Sequence, residues 1–177
     1  MIEDFQFITE NLTVIKPTIN ADDAPYFPSD DIRRQFTNSL SRGFSWTYNG
    51  KEQRMFETGT RFLGIPSPDM KFVIVIYPVN HKKFPAPHNA IIYNGNGSIH
   101  KKLNVPAPIS PQAKEMESRL KSTKHDELYF DTVYWTRVAD NRISAAVVIG
   151  FDHEWTERRL LNPETGEFGD CITSSRL

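Results

Sequence analysis

The sequence predicts an α+β fold: a mainly antiparallel, hairpin-rich twisted β-sheet with two short helices, at about 30–42 and 111–122, packed on it. Three observations carry that prediction. Runs rich in Val, Ile, Tyr, Phe and Trp alternate at short intervals with Asn-Gly, Pro and Gly turn residues. Helical periodicity occurs only twice, in segments far apart. Composition agrees, because 12 Phe, 6 Tyr, 3 Trp and 12 Pro against 9 Gly favour strands and rigid turns over a helical bundle. A chain of 177 residues fits a single domain, 1–177, that buries roughly 70% of its unfolded surface without disulfides or a structural metal.

The elements follow in chain order. Residues 1–28 read as irregular, with edge strands suggested by Phe5 and Phe7 and by Leu12 and Val14, before Pro17, Pro25 and Pro28 break the chain. Ser29-Asp30-Asp31 supplies an N-cap and an acidic first turn. Ile32, Phe36 and Leu40 then share one helical face, and Arg42-Gly43 offers a basic last turn and a C′ glycine. Phe44, Trp46 and Tyr48 alternate with polar residues up to Asn49-Gly50, the signature of a two-residue type I′ turn. The return strand sets Phe44 opposite Met55 and Trp46 opposite Gln53. The continuous apolar run 71–77, closed by Pro78, predicts a central strand covered on both faces. Residues 90–93 and 98–103 form a second hairpin, whose two Asn-Gly pairs leave its register open by two residues. Ser110-Pro111 caps the second helix, with Ala113, Met116 and Leu120 as a narrow apolar stripe and Glu115–Arg119 and Glu117–Lys121 as favourable pairs. Two further hairpins follow, 128–138 with 142–151 about Asp140-Asn141, and 155–161 with 168–174 about 162–166. The total is eight to eleven strands in hairpin order, with the helices covering one face.

Composition also bounds function. Cys171 is the single cysteine, which excludes an internal disulfide and a Cys-based zinc site and reads as a buried strand residue. Acids at Glu3 and Asp4 stand where a signal peptide carries positive charge, and the longest apolar run, 145–151, falls far short of a membrane span. The expected compartment is the cytoplasm, with no membrane partner. Net charge is −1, yet it is segregated: seven acids against one lysine in 1–31, fifteen bases against five acids in 32–124, and ten acids against five bases in 125–177.

Motifs for chemistry are sparse. Asp152-His153-Glu154 follows an apolar strand, where a base or ligand is well placed. In an extended chain, however, Asp152 and Glu154 project opposite to His153, and a solvated turn explains them better. The five histidines, His81, His88, His100, His125 and His153, lack the spacing of a helical zinc pair, so no metal and no cofactor is expected. Asn94-Gly95-Asn96-Gly97 lacks the Lys-Ser/Thr of a phosphate loop, and no G-x-S-x-G supports a serine nucleophile. Arg33-Arg34, Lys82-Lys83, Lys101-Lys102 and Arg158-Arg159 are basic pairs with aromatics nearby. A pI near 6.5 and the lack of a reading motif argue against nucleic acid. The expectation is a binding module rather than an enzyme.

The stretch 149–169, Ile-Gly-Phe-Asp-His-Glu-Trp-Thr-Glu-Arg-Arg-Leu-Leu-Asn-Pro-Glu-Thr-Gly-Glu-Phe-Gly, resembles a pattern in small bacterial proteins found beside polymorphic toxins. The hairpin 91–100, Ile-Ile-Tyr-Asn-Gly-Asn-Gly-Ser-Ile-His, is similar to segments of the same group. The resemblance spans about a third of the chain. It implies a cytosolic immunity protein that neutralises a cognate bacterial toxin by direct protein–protein binding. Against a basic toxin groove the expected partner-binding residues are Asp22, Asp23, Asp30 and Asp31 with Asp152, Glu154 and Glu157. Tyr26, Phe27 and Trp155 are the candidate aromatic anchors. Two rival readings stand beside it. One is a small hydrolase or nucleic-acid-processing enzyme with its site around Asp152-His153-Glu154, and the other is a subunit of a larger assembly, which would show a large apolar patch.

Overall fold

The computed structural model describes residues 1–11, 13–16, 27–120, 128–151 and 154–176, with the backbone alone at 116, 117, 119 and 120. Twelve strands form three antiparallel four-stranded sheets among these residues. The first sheet contains β1 (Ile2–Thr9), β2 (Val14–Ile15), β3 (Arg42–Tyr48) and β4 (Lys51–Met55), in the order β2-β1-β3-β4. The second runs β5 (Leu63–Pro66), β6 (Phe72–Ile76), β7 (Ala90–Asn94) and β8 (Ile99–Leu103) in sequence order. The third is β12 (Phe168–Arg176), β11 (Trp155–Leu161), β10 (Ile143–Phe151) and β9 (Leu128–Arg137). The helices are α1 (Asp30–Asn38) and α2 (Pro111–Leu120).

The second sheet is the middle layer, and its sequence explains why. Side chains alternate across a strand, so the run in β6 sends Val73 and Val75 to one side and Ile74 and Ile76 to the other. Val73, Val75, Ile91 and Tyr93 pack with Phe7, Phe44 and Trp46 of the first sheet. Ile74, Ile76, Ala90 and Ile92 pack with Phe130, Val133, Val147 and Ile149 of the third. The expected central strand is therefore present, but the expected single sheet resolves into three layers.

Polar bonds hold the layers in register. Trp46 Nε1 donates to Gly95 O at 2.6 Å, joining the first sheet to the β7–β8 turn. Trp135 Nε1 donates to Pro66 O at 2.9 Å, joining the third sheet to β5. Asn89, fully buried, donates to Tyr77 O and Phe130 O and accepts from Phe130 N–H. Each of these buried groups has its partner, which avoids the cost of an orphaned donor or acceptor.

The β3–β4 hairpin has the expected register, Phe44 opposite Met55 and Trp46 opposite Gln53, with φ of 50° and 72° at Asn49 and Gly50. Several expectations are corrected. Ile2–Thr9 form an interior strand; Asp4 at φ 49° and a register shift between Glu3 and Gln6 break the alternation. Helix α1 stops at Asn38 because Ser39 leaves the helix, ψ 134°, and turns its hydroxyl back to Gln35 O at 2.7 Å. Leu40 is 66% exposed rather than on a helical face. Gly43 is no cap. It lies in β3, where a Cβ would overlap the Met55 carbonyl. Strand β5 is an addition, and α2 begins at Pro111 as expected, with Ser110 Oγ accepting from Ala113 N–H. The Glu115–Arg119 and Glu117–Lys121 pairs, and the stripe positions Met116 and Leu120, lie outside the described side chains. No helix among the described residues is long and apolar enough to cross a membrane.

Candidate functional site

The expected partner-binding residues divide between the outer layers. Asp30 and Asp31 are exposed in the first turn of α1, whose N-cap Ser29 accepts from Ile32 N–H at 3.3 Å. Asp30 pairs with Arg33 at 3.1 Å. Phe27 is a packing ring rather than an exposed anchor, stacked 5.9 Å from Phe7 and tilted against Phe36 at 5.1 Å. At the β10–β11 turn Glu154 is exposed, while Trp155 faces Phe151 across the ladder and packs on the core between the second and third sheets. Asp22, Asp23, Tyr26, Asp152 and His153 lie outside the described residues. Since α1 belongs to the first sheet's layer and Glu154 to the third, the two groups do not share one sheet face.

Glu157 is the clearest correction. It is fully buried, so it takes no part in an exposed acidic face. Its position opposite Ile149 places it inward on β11, with Arg159 opposite Val147. Glu157 Oε1 accepts from Ile109 N–H at 2.9 Å and Ser110 N–H at 2.6 Å, and Oε2 lies 3.4 Å from Arg159 Nη1. Arg159 Nε donates to Gly169 O at 2.8 Å. The pair clamps the proline-punctuated 104–110 connection onto β11 and leads it into α2. A carboxylate so committed positions backbone.

The opposite, outward face of the third sheet carries Arg158, half of one of the basic pairs, together with tyrosines that sequence reasoning passed over. Arg158 lies 5.8 Å from the centre of the Tyr134 ring, a cation–π contact. Register places Tyr134 beside Ala146 and sets Arg158 and Thr132 on either side of Val148. Tyr129 covers Gly150, where a Cβ would enter its ring. Desolvation pushes the Tyr129 phenol up, helped by the Asp131 carboxylate, and pushes up Tyr134 against the opposing Arg158 charge. The two phenols therefore stay neutral through the physiological range. Alternation was the signal: Thr132, Tyr134 and Thr136 have one parity in β9.

A second aromatic group lies over the first core. His81 packs 4.7 Å from Tyr77 and 6.0 Å from Phe62. Its Nδ1 accepts from Phe84 N–H at 3.2 Å, while Nε2 faces Glu57 at 3.3 Å. Burial pushes Tyr77 far up, reinforced by its hydroxyl bond to Tyr93. A groove of about 500 Å³ opens elsewhere, between Asp69 and Phe72 on one side and Arg142, Glu164, Glu167 and Phe168 on the other.

No family model, curated protein or solved structure matches this chain. Among the described residues, no three His, Cys, Asp or Glu side chains come together as metal ligands. The Tyr134–Arg158 face combines an antiparallel ladder with a half-buried phenol, a guanidinium and an apolar floor at Val148. It can bury a partner's side chain and orient it by hydrogen bonds.

Proposed function

We propose that the protein is an immunity-type module that neutralises a cognate bacterial toxin by direct binding, in the cytoplasm. The observation that carries this reading is the outward face of the third sheet around Tyr134, Val148 and Arg158. Tyr and Arg are the residue types on which protein–protein affinity concentrates, above all on a rigid base that loses little entropy on association. The sequence resemblance at 149–169 falls on β10 and β11 of the same sheet. Acids at Asp30 and Asp31, with Asp22 and Asp23, serve a second role: steering a basic toxin surface into the encounter.

The test begins with the tagged protein as bait in its native host. A stoichiometric partner is expected that is toxic when expressed alone and harmless when co-expressed with this chain. Arg158→Glu should then weaken the complex by about 2 kcal/mol or more, as expected of a central anchor. Charge reversal at the four N-terminal acids should slow association and flatten its salt dependence. A retained partner without toxicity, or a toxin bound equally well by Arg158→Glu, would sink the reading. Unchanged association after the four reversals would remove the steering role alone.

A further inference from the structure

Three features outside the proposed interface bring polar or charged side chains together. The Tyr77–Tyr93–His81 group is closed by its own hydrogen bonds and rings. In the groove beside Phe72 the cation and one of the acids are paired, Asp69 with Lys71 and Arg142 with Asp140. The third candidate is a pair of arginines whose charges no carboxylate among the described residues answers.

Arg42 opens β3, and its two neighbours on the ladder are Thr9 of β1 and Arg61, the latter through a parallel bridge. Arg42 N–H donates to Thr60 O at 2.9 Å, and Arg42 O accepts from Phe62 N–H at 3.0 Å, which fixes the bridge. Directly paired residues project to the same side of a sheet. Thr9, Arg42 and Arg61 therefore form a row at the seam where the first sheet meets the chain entering β5. The Phe36 ring of α1 covers the Arg42 guanidinium at 5.2 Å from its centre.

Among the described residues the side chains of this row lack hydrogen-bond and ion-pair partners. Arg42 Nε is hidden from solvent and makes no hydrogen bond, and neither does the Thr9 hydroxyl, on a residue with no exposure at all. Among the described residues no carboxylate lies within ion-pair distance of either guanidinium. Nearby acids are committed elsewhere: Glu10 accepts from Leu40 N–H at 3.0 Å, and Glu57 faces His81. Desolvation, and then the Arg61 charge, pull the Arg42 guanidinium below the ordinary arginine range. A half-buried cation beside a second cation is a costly arrangement unless an anion completes it.

We infer that Arg42 and Arg61 form a binding site for a phosphate-class oxyanion at the seam of the first and second sheets. Two guanidinium forks match the spaced oxygens of a phosphate and its double charge, whereas one carboxylate would leave a cation unanswered. Arg61 is exposed, so the ligand enters from solvent on that side. The inference is independent of the toxin-binding reading.

The experiment titrates inorganic phosphate into the intact protein at about pH 8 and low ionic strength, following heat and Tm. Acetate at matched ionic strength and glycerol 3-phosphate are parallel arms. Saturable one-site binding of phosphate is expected, with Tm rising as the ligand exceeds its Kd. Arg42→Gln and Arg61→Gln should each weaken it about tenfold or more, and Arg42→Lys severalfold, because an ammonium lacks the fork. Arg61→Gln changes an exposed residue and so separates lost binding from lost folding. Equal binding of glycerol 3-phosphate would support a phosphate monoester as the ligand, and binding of inorganic phosphate alone would support the free ion. No saturation, or a titration unchanged in the double Gln variant, would overturn the site. So would acetate binding as tightly as phosphate, or phosphate binding that appears only after Asp22→Asn and Asp23→Asn.

Discussion

At the scale of single residues, Glu157 shows how far a carboxylate can be drawn inside when donors meet both of its oxygens. Two backbone N–H groups and one guanidinium converge on it, and the cost of desolvation is offset only while all three remain. Removing one partner exposes the remainder. Glu157→Ala should therefore cost about 3–5 kcal/mol, read as a shift in the denaturation midpoint at constant slope. Glu157→Gln keeps an acceptor for Ile109 and Ser110 and should cost less. A loss below about 1 kcal/mol for the Ala variant would show that other contacts hold the connection. The inward direction of Glu157 was legible in the sequence, since Trp155, Glu157, Arg159 and Leu161 share one parity and its outer members are apolar. Its charge alone points to the surface. Alternation is the stronger guide within a strand, because the pleat decides direction before the side chain's chemistry is met.

At the scale of elements, hairpins were legible and their interruptions were not. Asn49-Gly50 determines its turn locally, so the β3–β4 register followed from two residues. Helix α1 was read four residues too long because Leu40 and Gly43 completed a helical pattern. The Ser39 hydroxyl and the pairing of Arg42 with Thr9 end it instead, and that pairing is a contact across more than thirty residues. Strand β5 was missed because Leu-Gly-Ile-Pro is short and Pro66 reads as a breaker; its pairing with β6 decides the matter. Bulges were equally invisible. In β9 the register shift between Val148 and Ile149 leaves Asp131 as the extra residue on an edge strand, a feature that discourages pairing with another sheet. Desolvation raises the Asp131 carboxyl above its ordinary value. A folded-state value above the unfolded one means that the ionised form costs stability at neutral pH and the protonated form does not. Asp131→Asn should thus raise Tm at pH 7 by about 1 °C, a small effect because the residue is largely exposed. The gain should vanish below about pH 3, where the carboxyl is protonated folded and unfolded alike. A gain that persists there would assign it to packing.

At the scale of the whole molecule, the two cores share one sheet. Trp46 reports on the core between the first and second sheets and Trp135 on the core between the second and third. Variants keeping only one of these indoles (Trp135→Phe with Trp155→Phe, or Trp46→Phe with Trp155→Phe) should give coincident denaturation midpoints, since neither outer layer can leave without exposing the middle one. Midpoints separated by more than about 1 M urea would show the layers to be independent units. The run at 71–77 announced a strand covered on both faces, so a layer on each side was implicit in the sequence. What lay on each side was not, because inter-sheet contacts such as Asn89 with Phe130 join residues that share no local pattern.

Each layer is also one uninterrupted stretch of chain: 2–55, 63–103 and 128–176. A ribosome therefore delivers the sheets one at a time, and nearly all strand pairing is settled between neighbours in sequence. The first and second sheets can close on each other as soon as β8 has emerged. From then until β10 is synthesised, Ile74, Ile76 and Ile92 have no cover. Roughly fifty residues of further elongation, several seconds at about 5–20 residues per second, separate a half-finished protein with an open apolar sheet from the finished one. That interval is when a chaperone has most to offer this chain, and when two nascent copies are most apt to complete each other's middle layer.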